Sequence, residues 1–498
     1  MYTFLTPPYV LALDVGTSST RALFFDAQGR AVPHVLSQRT YPLTTSVQGE
    51  VSVPAELLAK VVEETIEEAL RLAGPLAQQI IAVALDTFWH SLLGVDASGQ
   101  PLTPVITWED TRAYEAVAYL QSHFDEPTVH ARTGVHFHAS YWPAKLYWLS
   151  QSSPDLFAQV AQWISFGEYL HRRFLGRSLC SLSMASGTGL LNEKLLSWDE
   201  ELVYDLGIRP EQLPLLAHTY EGTRGLKLEY ASAWPALRDV PWFPAIGDGA
   251  SACIGSGCID ATRWSLTMGT SSAIRVVIEP GSVVPPPGLW LYFIDARRAL
   301  LGGALSEGGN LLNWLCQNLN LPSLKEAEPS AAVLAPDSHA LTILPFLSGE
   351  RSMGWHSDAR LTITGLSRES SPAAILRAGY EALAYRLLVL HERLCDALHQ
   401  RADQHTMQAS GGVLLGSALI RSVIADTLGI PIFPSLEHEA SARGVALLVL
   451  EALNILPDLA SMASSLQKPT QPDQRHGAIY RNAAQRQERL YQILVEER

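Results

Sequence analysis

The apolar and polar positions of the chain follow one order twice: an apolar run, a Gly-Thr-Ser-Ser tetrapeptide, a second apolar run and a turn. The runs are residues 9–14 and 20–26 in the first copy, and residues 263–268 and 273–278 in the second. Apolar runs of this length between turn residues predict strands, so each copy predicts a β-hairpin with small residues at its tip. The repeat favours two related lobes.

Outside the repeat, helical and extended patterns alternate along the chain, which is typical of an α/β protein. Helices are predicted at residues 54–72, 111–122, 144–149, 167–175, 309–319, 372–400, 417–428 and 440–453. Further strands are predicted at residues 79–85, 91–95, 341–345 and 406–409. The stretch 253–260, rich in Gly and small residues, is the expected boundary between an N-terminal lobe, residues 1–252, and a C-terminal lobe, residues 253–498.

Composition narrows the class of protein. The 498 residues are 47% hydrophobic and 17% charged, which excludes intrinsic disorder as the main state. Asp and Glu outnumber Lys and Arg by 50 to 36, so binding to nucleic acid or to an anionic membrane is not expected. No apolar run approaches the roughly 20 residues of a membrane span. No signal peptide is visible, so we expect a cytoplasmic protein. The five cysteines, without CxxC spacing, predict free thiols.

The hairpin tips are candidate phosphate sites. Gly16, Thr17 and Ser18 in the first copy, and Gly269 and Thr270 in the second, expose backbone N–H groups and hydroxyls without bulky side chains. Such a tip suits phosphate oxygens. Gly, Thr and Ser are also ordinary turn residues, and for a single hairpin this simpler interpretation stays open. Two copies facing each other favour phosphate binding.

Two aspartates stand where a phosphoryl-transfer site needs carboxylates. Asp14 ends the first strand directly before its tip, where it could hold Mg²⁺, directly or through water, or simply cap the turn. Asp248 lies between Gly247 and Gly249 after a short apolar strand. A carboxylate that takes a proton from a hydroxyl nucleophile is the base that a small-molecule kinase needs. An aspartate in a glycine-rich turn is the alternative.

Two double glycines and one polar cluster complete the candidate set. Gly411-Gly412 follows a predicted strand, and Gly309 opens the helix that contains Asn313; each would let a backbone approach a nucleotide closely. The polar cluster could hydrogen-bond sugar hydroxyls, with structural ion pairing as the alternative. Its members are His90, Trp108, Asp110 and Arg112.

Taken in order, these motifs resemble the FGGY carbohydrate kinases, over about residues 9–455. The matching segments are Asp14-Val15-Gly16-Thr17-Ser18-Ser19-Thr20-Arg21, Trp108-x-Asp110-x-Arg112, Gly247-Asp248-Gly249, Met268-Gly269-Thr270-Ser271, residues 344–351 (LPFLSGER) and Ser410-Gly411-Gly412. The resemblance implies a two-lobe α/β fold of the actin/hexokinase/heat-shock ATPase type, which is ribonuclease H-like, with a central cleft. It also implies ATP- and Mg²⁺-dependent phosphorylation of a hydroxyl of a small-molecule sugar or polyol.

The same resemblance assigns roles to individual residues. It implies Asp248 as the catalytic base and Asp14 as the magnesium contact. The phosphate contacts would be Gly16, Thr17, Ser18, Arg21, Gly269 and Thr270, and the adenosine contacts Gly309, Asn313, Gly411 and Gly412. The substrate contacts would be His90, Trp108, Asp110, Arg112 and Asp248 itself.

The sugar is less closely specified. Residues 89–96 and 439–444 look most like the gluconokinase branch, so we expect D-gluconate, with Arg112 or Arg132 pairing with its carboxylate. A xylulokinase or another pentulose or polyol kinase is the alternative, and a degenerate sugar sensor is the non-enzyme alternative. Leu361 departs from the family's usual Gly. The oligomeric state, monomer or homodimer, stays open.

Overall fold

The computed structural model describes residues 5–462 and 465–497, in two lobes that each contain one central β-sheet. The strands of the first half are β1 (Tyr9–Val15), β2 (Ser19–Phe25), β3 (Ala31–Thr40), β4 (Thr44–Thr45), β5 (Val51–Val53), β6 (Ile80–Thr87), β7 (Leu93–Val95), β8 (Val105–Ile106), β9 (Gln162–Ile164), β10 (Leu179–Ser181), β11 (Leu191–Asn192), β12 (Ser197–Trp198), β13 (Leu215–Ala217) and β14 (Ile246–Gly247). Those of the second half are β15 (Arg263–Met268), β16 (Ser272–Ile278), β17 (Trp290–Phe293), β18 (Ala299–Leu305), β19 (Thr342–Leu344), β20 (Thr362–Thr364), β21 (Thr406–Ser410) and β22 (Ile432–Pro434).

Helices cover the sheets. They are α1 (Ala55–Ala73), α2 (Tyr114–His123), α3 (Glu126–Thr133), α4 (Trp142–Ser152), α5 (Pro154–Gln159), α6 (Phe166–Leu175), α7 (Leu182–Ser186), α8 (Glu200–Asp205), α9 (Leu228–Ala233), α10 (Asp248–Gly255), α11 (Gly309–Asn318), α12 (Leu324–Ala332), α13 (Pro372–Leu398), α14 (Gly412–Gly416), α15 (Ala418–Leu428), α16 (Ala440–Ala452) and α17 (Gln474–Tyr491). None of the described helices combines the length and apolar content needed to cross a membrane.

The two large sheets have the same strand arrangement. The first has the order β3-β2-β1-β6-β14, and the second has β18-β16-β15-β21-β22 with β17 added at the β18 edge. In both, the first three strands run antiparallel and the following ones join in parallel. Five strands of one lobe therefore correspond to five of the other. Both Gly-Thr-Ser-Ser segments connect an antiparallel strand pair, which confirms the predicted hairpins.

The lobes meet where α10 crosses α16. A Cβ atom on Gly255 would lie 1.8 Å from the carbonyl oxygen of Ala440, and one on Gly444 would lie 1.8 Å from that of Ser251. Only glycine at both positions lets the two backbones touch. Arg443 of α16 fixes the crossing by hydrogen bonds to the carbonyls of Gly255 and Gly29. The predicted lobe boundary between residues 252 and 253 falls inside α10.

Most predicted elements are present, with shifted ends. The helix predicted from residue 111 begins at Tyr114, because Thr111 N–H donates to the carbonyl of Gly49 and Arg112 N–H donates to Asp110. These bonds hold the backbone outside the helix. The strand predicted at residues 91–95 is regular only from Leu93. The five cysteines are free thiols, as predicted.

Candidate active site

The carboxyl ends of three neighbouring strands bring three aspartates to one edge of the first sheet. Asp14 of β1 and Asp86 of β6 are register partners in parallel strands. β14 pairs with β6 on its other side, with Ile246 opposite Asp86. Asp248 follows β14 directly as the first residue of α10. Adjacent parallel strands end at the same edge, so the three side chains share one small region.

Asp248 is the carboxylate of this group with the properties of a base. Burial raises its pKa to about 6; the guanidinium of Arg275 opposes that rise, and the charge of Asp14 adds to it. Its Oδ1 accepts a hydrogen bond of 2.7 Å from the N–H of Gly249. A carboxylate with this pKa is mostly ionised at neutral pH, yet binds a proton more tightly than an exposed aspartate does.

Asp86 is a site residue that sequence reasoning missed. Its side chain has no exposed surface, and neither carboxylate oxygen has a hydrogen-bond partner within the described residues. Burial, and then the neighbouring charge of Asp14, raise its pKa well above the ordinary value. Asp86 ends a strand that pairs with β1, which places it next to Asp14. A single sequence does not show which strands pair, so this position could not be recognised from the sequence.

Arg21 reaches the same edge from β2. Its Nη1 lies 3.1 Å from Oδ2 of Asp14, and its Nε lies 3.6 Å from Glu439 of the other lobe. Arg21, which was predicted as a phosphate contact, therefore forms an ion pair with Asp14, the predicted magnesium ligand. Arg21 balances the charge of Asp14 and links the two lobes beside the cleft.

Side chains from other parts of the first lobe hold the tip of the first hairpin in place. Thr17 Oγ1 accepts a 3.0 Å hydrogen bond from the indole of Trp108, and the carbonyl of Gly16 accepts one from the hydroxyl of Tyr41. The N–H of Gly16 donates to the carbonyl of Ser19 at 3.0 Å, which closes the turn. Ser18 remains exposed at the end of the tip.

The predicted adenosine residues gather around the second tip. Gly309 N–H donates to the carbonyl of Gly269 at 2.8 Å. Gly411 has φ +92°, and a Cβ atom there would lie 2.5 Å from the carbonyl oxygen of Met268, so only glycine fits. Thr270, Gly412 and Asn313 are exposed on the same side of the second lobe. Loops distant in sequence thus form one open surface of backbone and small side chains; its members are Gly269, Thr270, Gly309, Asn313, Gly411 and Gly412.

A cavity of about 210 Å³ lies between the lobes and contains Asp248. Its wall consists of Thr17, Trp89, His90, Trp108 and Asp248 from the first lobe, and Ser271, Ser272, Ala273, Arg275, Trp290, Tyr292, Ala304 and Arg351 from the second. A wider cavity of about 770 Å³ adjoins it, sharing Trp108, Ser271 and Arg351, and is also lined by Asp110 and Thr270. The inner cavity is below the roughly 300–1,000 Å³ of drug-sized ligand sites, so it suits a small polar molecule.

Trp89 and His90 form one side of the inner cavity. A Cβ atom on Gly247 would lie 1.8 Å from the indole ring of Trp89, so this glycine makes room for the ring beside Asp248. His90 has φ +66° and is buried, which lowers the pKa of its imidazole to about 3. The buried Lys145 donates hydrogen bonds to the carbonyls of His90, at 2.7 Å, and Thr107, at 2.8 Å. His90 is therefore a neutral, fixed hydrogen-bonding group.

Two predicted arginines do not lie in the inner cavity. Arg112 forms an ion pair with Asp110, with Nη2 at 2.7 Å from Oδ2, and its guanidinium stacks 4.7 Å from the ring of Trp148. Arg132 pairs with Asp199 at 2.7 Å and with Glu201 at 2.6 Å. Both guanidinium groups are already neutralised by carboxylates. The expectation that either one holds a substrate carboxylate stays a prediction, and these ion pairs do not favour it.

The cations of the inner cavity are Arg275 and Arg351. Neither forms an ion pair within 4 Å among the described residues, and the Nε of each is buried without a hydrogen-bond partner there. Arg275 donates to Thr267 at 3.3 Å, and Arg351 lies 5.6 Å from the ring of Trp108. A single arginine inside an otherwise apolar strand was the sequence signal for Arg275.

The residues present fit a metal ion and a nucleotide phosphate chain. The two unpartnered oxygens of Asp86 lie beside Asp14, and carboxylate oxygens are the ligands that Mg²⁺ prefers. A Cβ atom on Gly269 would meet nothing within 4 Å, so the second tip is open to a ligand.

Comparison with known proteins agrees with this geometry. Sequence models of the N-terminal and C-terminal domains of the FGGY family of carbohydrate kinases match residues 9–255 and 264–453. The chain is 26% identical to a gluconokinase of Bacillus subtilis (strain 168) over 456 residues, 89% of this chain and 87% of that protein. It is 30% identical to a glycerol kinase of Polaromonas sp. (strain JS666) over 463 residues, 88% and 90% of the two chains.

Solved structures agree as well. A gluconate kinase and a ligand-bound xylulose kinase, both from Lactobacillus acidophilus, each superpose with a TM-score of 0.89 at 28% identity, over 98% of both chains. Since the two family models together match most of the chain, this protein belongs to the FGGY family of carbohydrate kinases and has their two-lobe, actin/hexokinase-like fold.

Proposed function

We propose that this carbohydrate kinase transfers the γ-phosphoryl group of ATP to a hydroxyl of D-gluconate, giving 6-phosphogluconate. The observation that carries the choice of an acidic sugar is the pair Arg275 and Arg351, two guanidinium groups that face the inner cavity without an ion-pair partner. A substrate carboxylate supplies that partner. Xylulose and glycerol carry no charge, so they would leave both half-buried guanidinium groups with only the more distant charges of Asp248 and Glu307, which is less favourable than a direct ion pair.

Asp248 is the proposed general base. Its carboxylate takes the proton from the attacking hydroxyl as the oxygen–phosphorus bond forms, and later releases that proton to solvent. Neutral His90, whose Nδ1–H donates to the carbonyl of Gly187, can accept a hydrogen bond from a substrate hydroxyl at Nε2. The ring of Trp108, whose indole N–H is bound to Thr17, gives the same cavity an aromatic wall. These contacts hold the hydroxyl towards the tips, since phosphoryl transfer depends mainly on positioning.

The phosphate chain would lie between the hairpin tips. Backbone N–H groups near Thr17 and Thr270 would bind its oxygens, and the exposed surface around Gly411 would take the adenosine. When bound, Mg²⁺ neutralises charge on the transferring group; Asp14 would hold it, with Asp86 next to it. The guanidinium of Arg21, 3.1 Å from Asp14, would share that carboxylate with the ion.

The test is ADP release with gluconate, xylulose, ribulose and glycerol at equal concentrations. We expect the highest kcat/KM with gluconate. Higher kcat/KM with xylulose or glycerol would support the pentulose or polyol alternative and refute the acid-sugar assignment. Binding of a sugar without ADP release would support the sensor alternative.

One variant distinguishes the gluconate carboxylate from the ATP phosphates as the anion that Arg351 binds. Arg351→Gln should raise the KM for gluconate about tenfold or more and leave the KM for ATP nearly unchanged, because a lost charged hydrogen bond costs roughly 1.5–3 kcal/mol. Arg297→Gln, an exposed arginine paired with Glu451, is the matched control. If only the KM for ATP rises in Arg351→Gln, this arginine binds phosphate and the argument for gluconate fails.

A further inference from the structure

Three potential metal ligands lie together in the second lobe, outside the active site. His391 and Cys395 are one turn apart on α13, and His405 comes from the segment between α13 and β21. The two Nε2 atoms are 3.0 Å apart, and Sγ of Cys395 is 3.7 Å from Nε2 of His391. All three candidate ligand atoms lie within 4.8 Å of one another.

The surroundings hold the imidazoles in place. The rings of Trp264 and His405 stack with centroids 3.8 Å apart and planes 7° from parallel, and the indole N–H of Trp264 donates to the carbonyl of Ala261. Both histidines are buried. The imidazole nitrogen is the commonest metal ligand in proteins.

We propose that His391, Cys395 and His405 bind one Zn²⁺ ion, with water as the fourth ligand. Zn–N bonds of about 2.1 Å and a Zn–S bond of about 2.3 Å in a tetrahedron place ligand atoms roughly 3.3–3.6 Å apart. Two of the observed separations, 3.0 and 3.7 Å, lie on either side of this range, and the third, between the ligand atoms of Cys395 and His405, is within 4.8 Å. Small side-chain rotations therefore suffice to seat the ion.

The local charges favour a cation here. Asp396 and Glu392 act on Cys395 with negative charge; Arg481 acts on Glu392, and Asp403, which acts on His405, is already paired with Arg401 at 3.0 Å. The other ligand cluster among the described residues differs: it consists of Asp337, His339 and Glu381, and Arg486 and Arg377 already pair with its carboxylates, at 2.5 and 2.7 Å. That cluster is a closed ion-pair network, so it carries no metal proposal.

Binding would join two elements that support the nucleotide side of the cleft. Zn²⁺ replaces the thiol proton of Cys395, which passes to solvent, and two neutral imidazoles complete the protein ligands. The ion would connect the C-terminal turns of α13 to the start of β21. β21 ends at Ser410, next to the Gly411 loop of the active site.

Cobalt is the probe that distinguishes this site from the active site. The full chain is stripped with a chelator and titrated with Co²⁺ in saturating Mg²⁺. We expect one equivalent of Co²⁺ to give a thiolate-to-cobalt charge-transfer band in the near ultraviolet, and one equivalent of Zn²⁺ to remove it. An oxygen-ligand site such as Asp14 gives no such band. Absence of the band in the wild-type chain overturns the proposal and leaves only a hydrogen bond between the histidines.

Variants identify the ligands. Cys395→Ser should abolish the band, and His405→Gln should weaken Co²⁺ binding at least about tenfold. Cys316→Ser, a change to another cysteine of the same lobe, should keep the band at full intensity. A band that persists in folded Cys395→Ser overturns the assignment. If either variant does not fold, zinc content of the wild-type chain by elemental analysis decides: one ion per chain supports the site, and none overturns it.

Discussion

Replacing Asp248 by Asn should make the protein more stable while removing its activity. In the unfolded chain this carboxyl group has an ordinary pKa near 3.8, and in the folded protein burial raises it to about 6. The folded state therefore binds the proton more tightly than the unfolded state does. Stability from this group is present below the lower pKa and is lost as the pH rises through the higher one.

The magnitude follows from the two pKa values. A difference of about 2 pH units corresponds to about 3 kcal/mol, since each unit is worth about 1.36 kcal/mol. This is an upper bound, because the side chain is partly open to the cavity. Asn keeps the shape and still accepts the hydrogen bond from Gly249 without carrying charge. We expect a gain of up to about 3 kcal/mol at pH 8, roughly half of it at pH 5, and almost none below about pH 4.

The assay is urea unfolding of the wild-type protein and Asp248→Asn at these three pH values, without ligands. ADP release by the variant should fall by at least about 100-fold, the low end for loss of a general base. Asp96→Asn is the matched control. Asp96 is partly exposed, the hydrogen bonds that it accepts from Ser98 and Gln100 lower its pKa, and its removal should bring no gain at pH 8. A stability gain of equal size at pH 5 and pH 8, or none at pH 8, would refute the reasoning.

Three further predictions concern the pH profile, the helix crossing and the cavity wall. The kcat/KM of the wild-type enzyme should fall about tenfold per pH unit below about pH 6. Arg275→Gln should move this acidic limb of the pH profile to higher pH, because Arg275 lowers the pKa of Asp248. An acidic limb at the same pH in the variant contradicts this. Gly444→Ala should cost about 3 kcal/mol in urea unfolding, since its Cβ would overlap a backbone carbonyl, whereas Gly416→Ala, with open space around it, should cost nothing. Lys145→Met leaves the carbonyl of His90 without a donor and that of Thr107 with only a 3.4 Å hydrogen bond from the N–H of Asp110. It should raise the sugar KM about tenfold while the KM for ATP stays constant; equal rises in both would argue for a general loss of structure.

Local patterns predicted the repeated hairpins well. Each consists of apolar runs around a tetrapeptide of turn residues, so the information lies within about 20 consecutive residues. The strands β3, β17 and β18 were not predicted. β3 lies at the edge of its sheet and alternates irregularly between buried and exposed positions, so its pattern resembles a loop.

The site was predictable where chemistry follows from short motifs, and not where it depends on pairing in space. Asp14 and Asp248 stand beside glycines that mark them. Arg132 was considered for the substrate carboxylate because its ion-pair partner, Asp199, lies 67 residues further along the chain and is not apparent from the sequence. Asp86 looked like the end of an ordinary strand because the carboxylates beside it come from other strands.

The backbone contact between Gly255 and Gly444 determines how the lobes can move. No side chain separates α10 from α16 there, so neither helix can slide without breaking van der Waals contact along its backbone. Rotation about the contact point is the motion that remains. Asp248 opens α10, two turns from this pivot, so a given rotation moves its carboxylate little and moves the distant cleft mouth much more. For the mechanism proposed above, this means that product leaves through a widening entrance while Asp248 stays in register with the inner cavity.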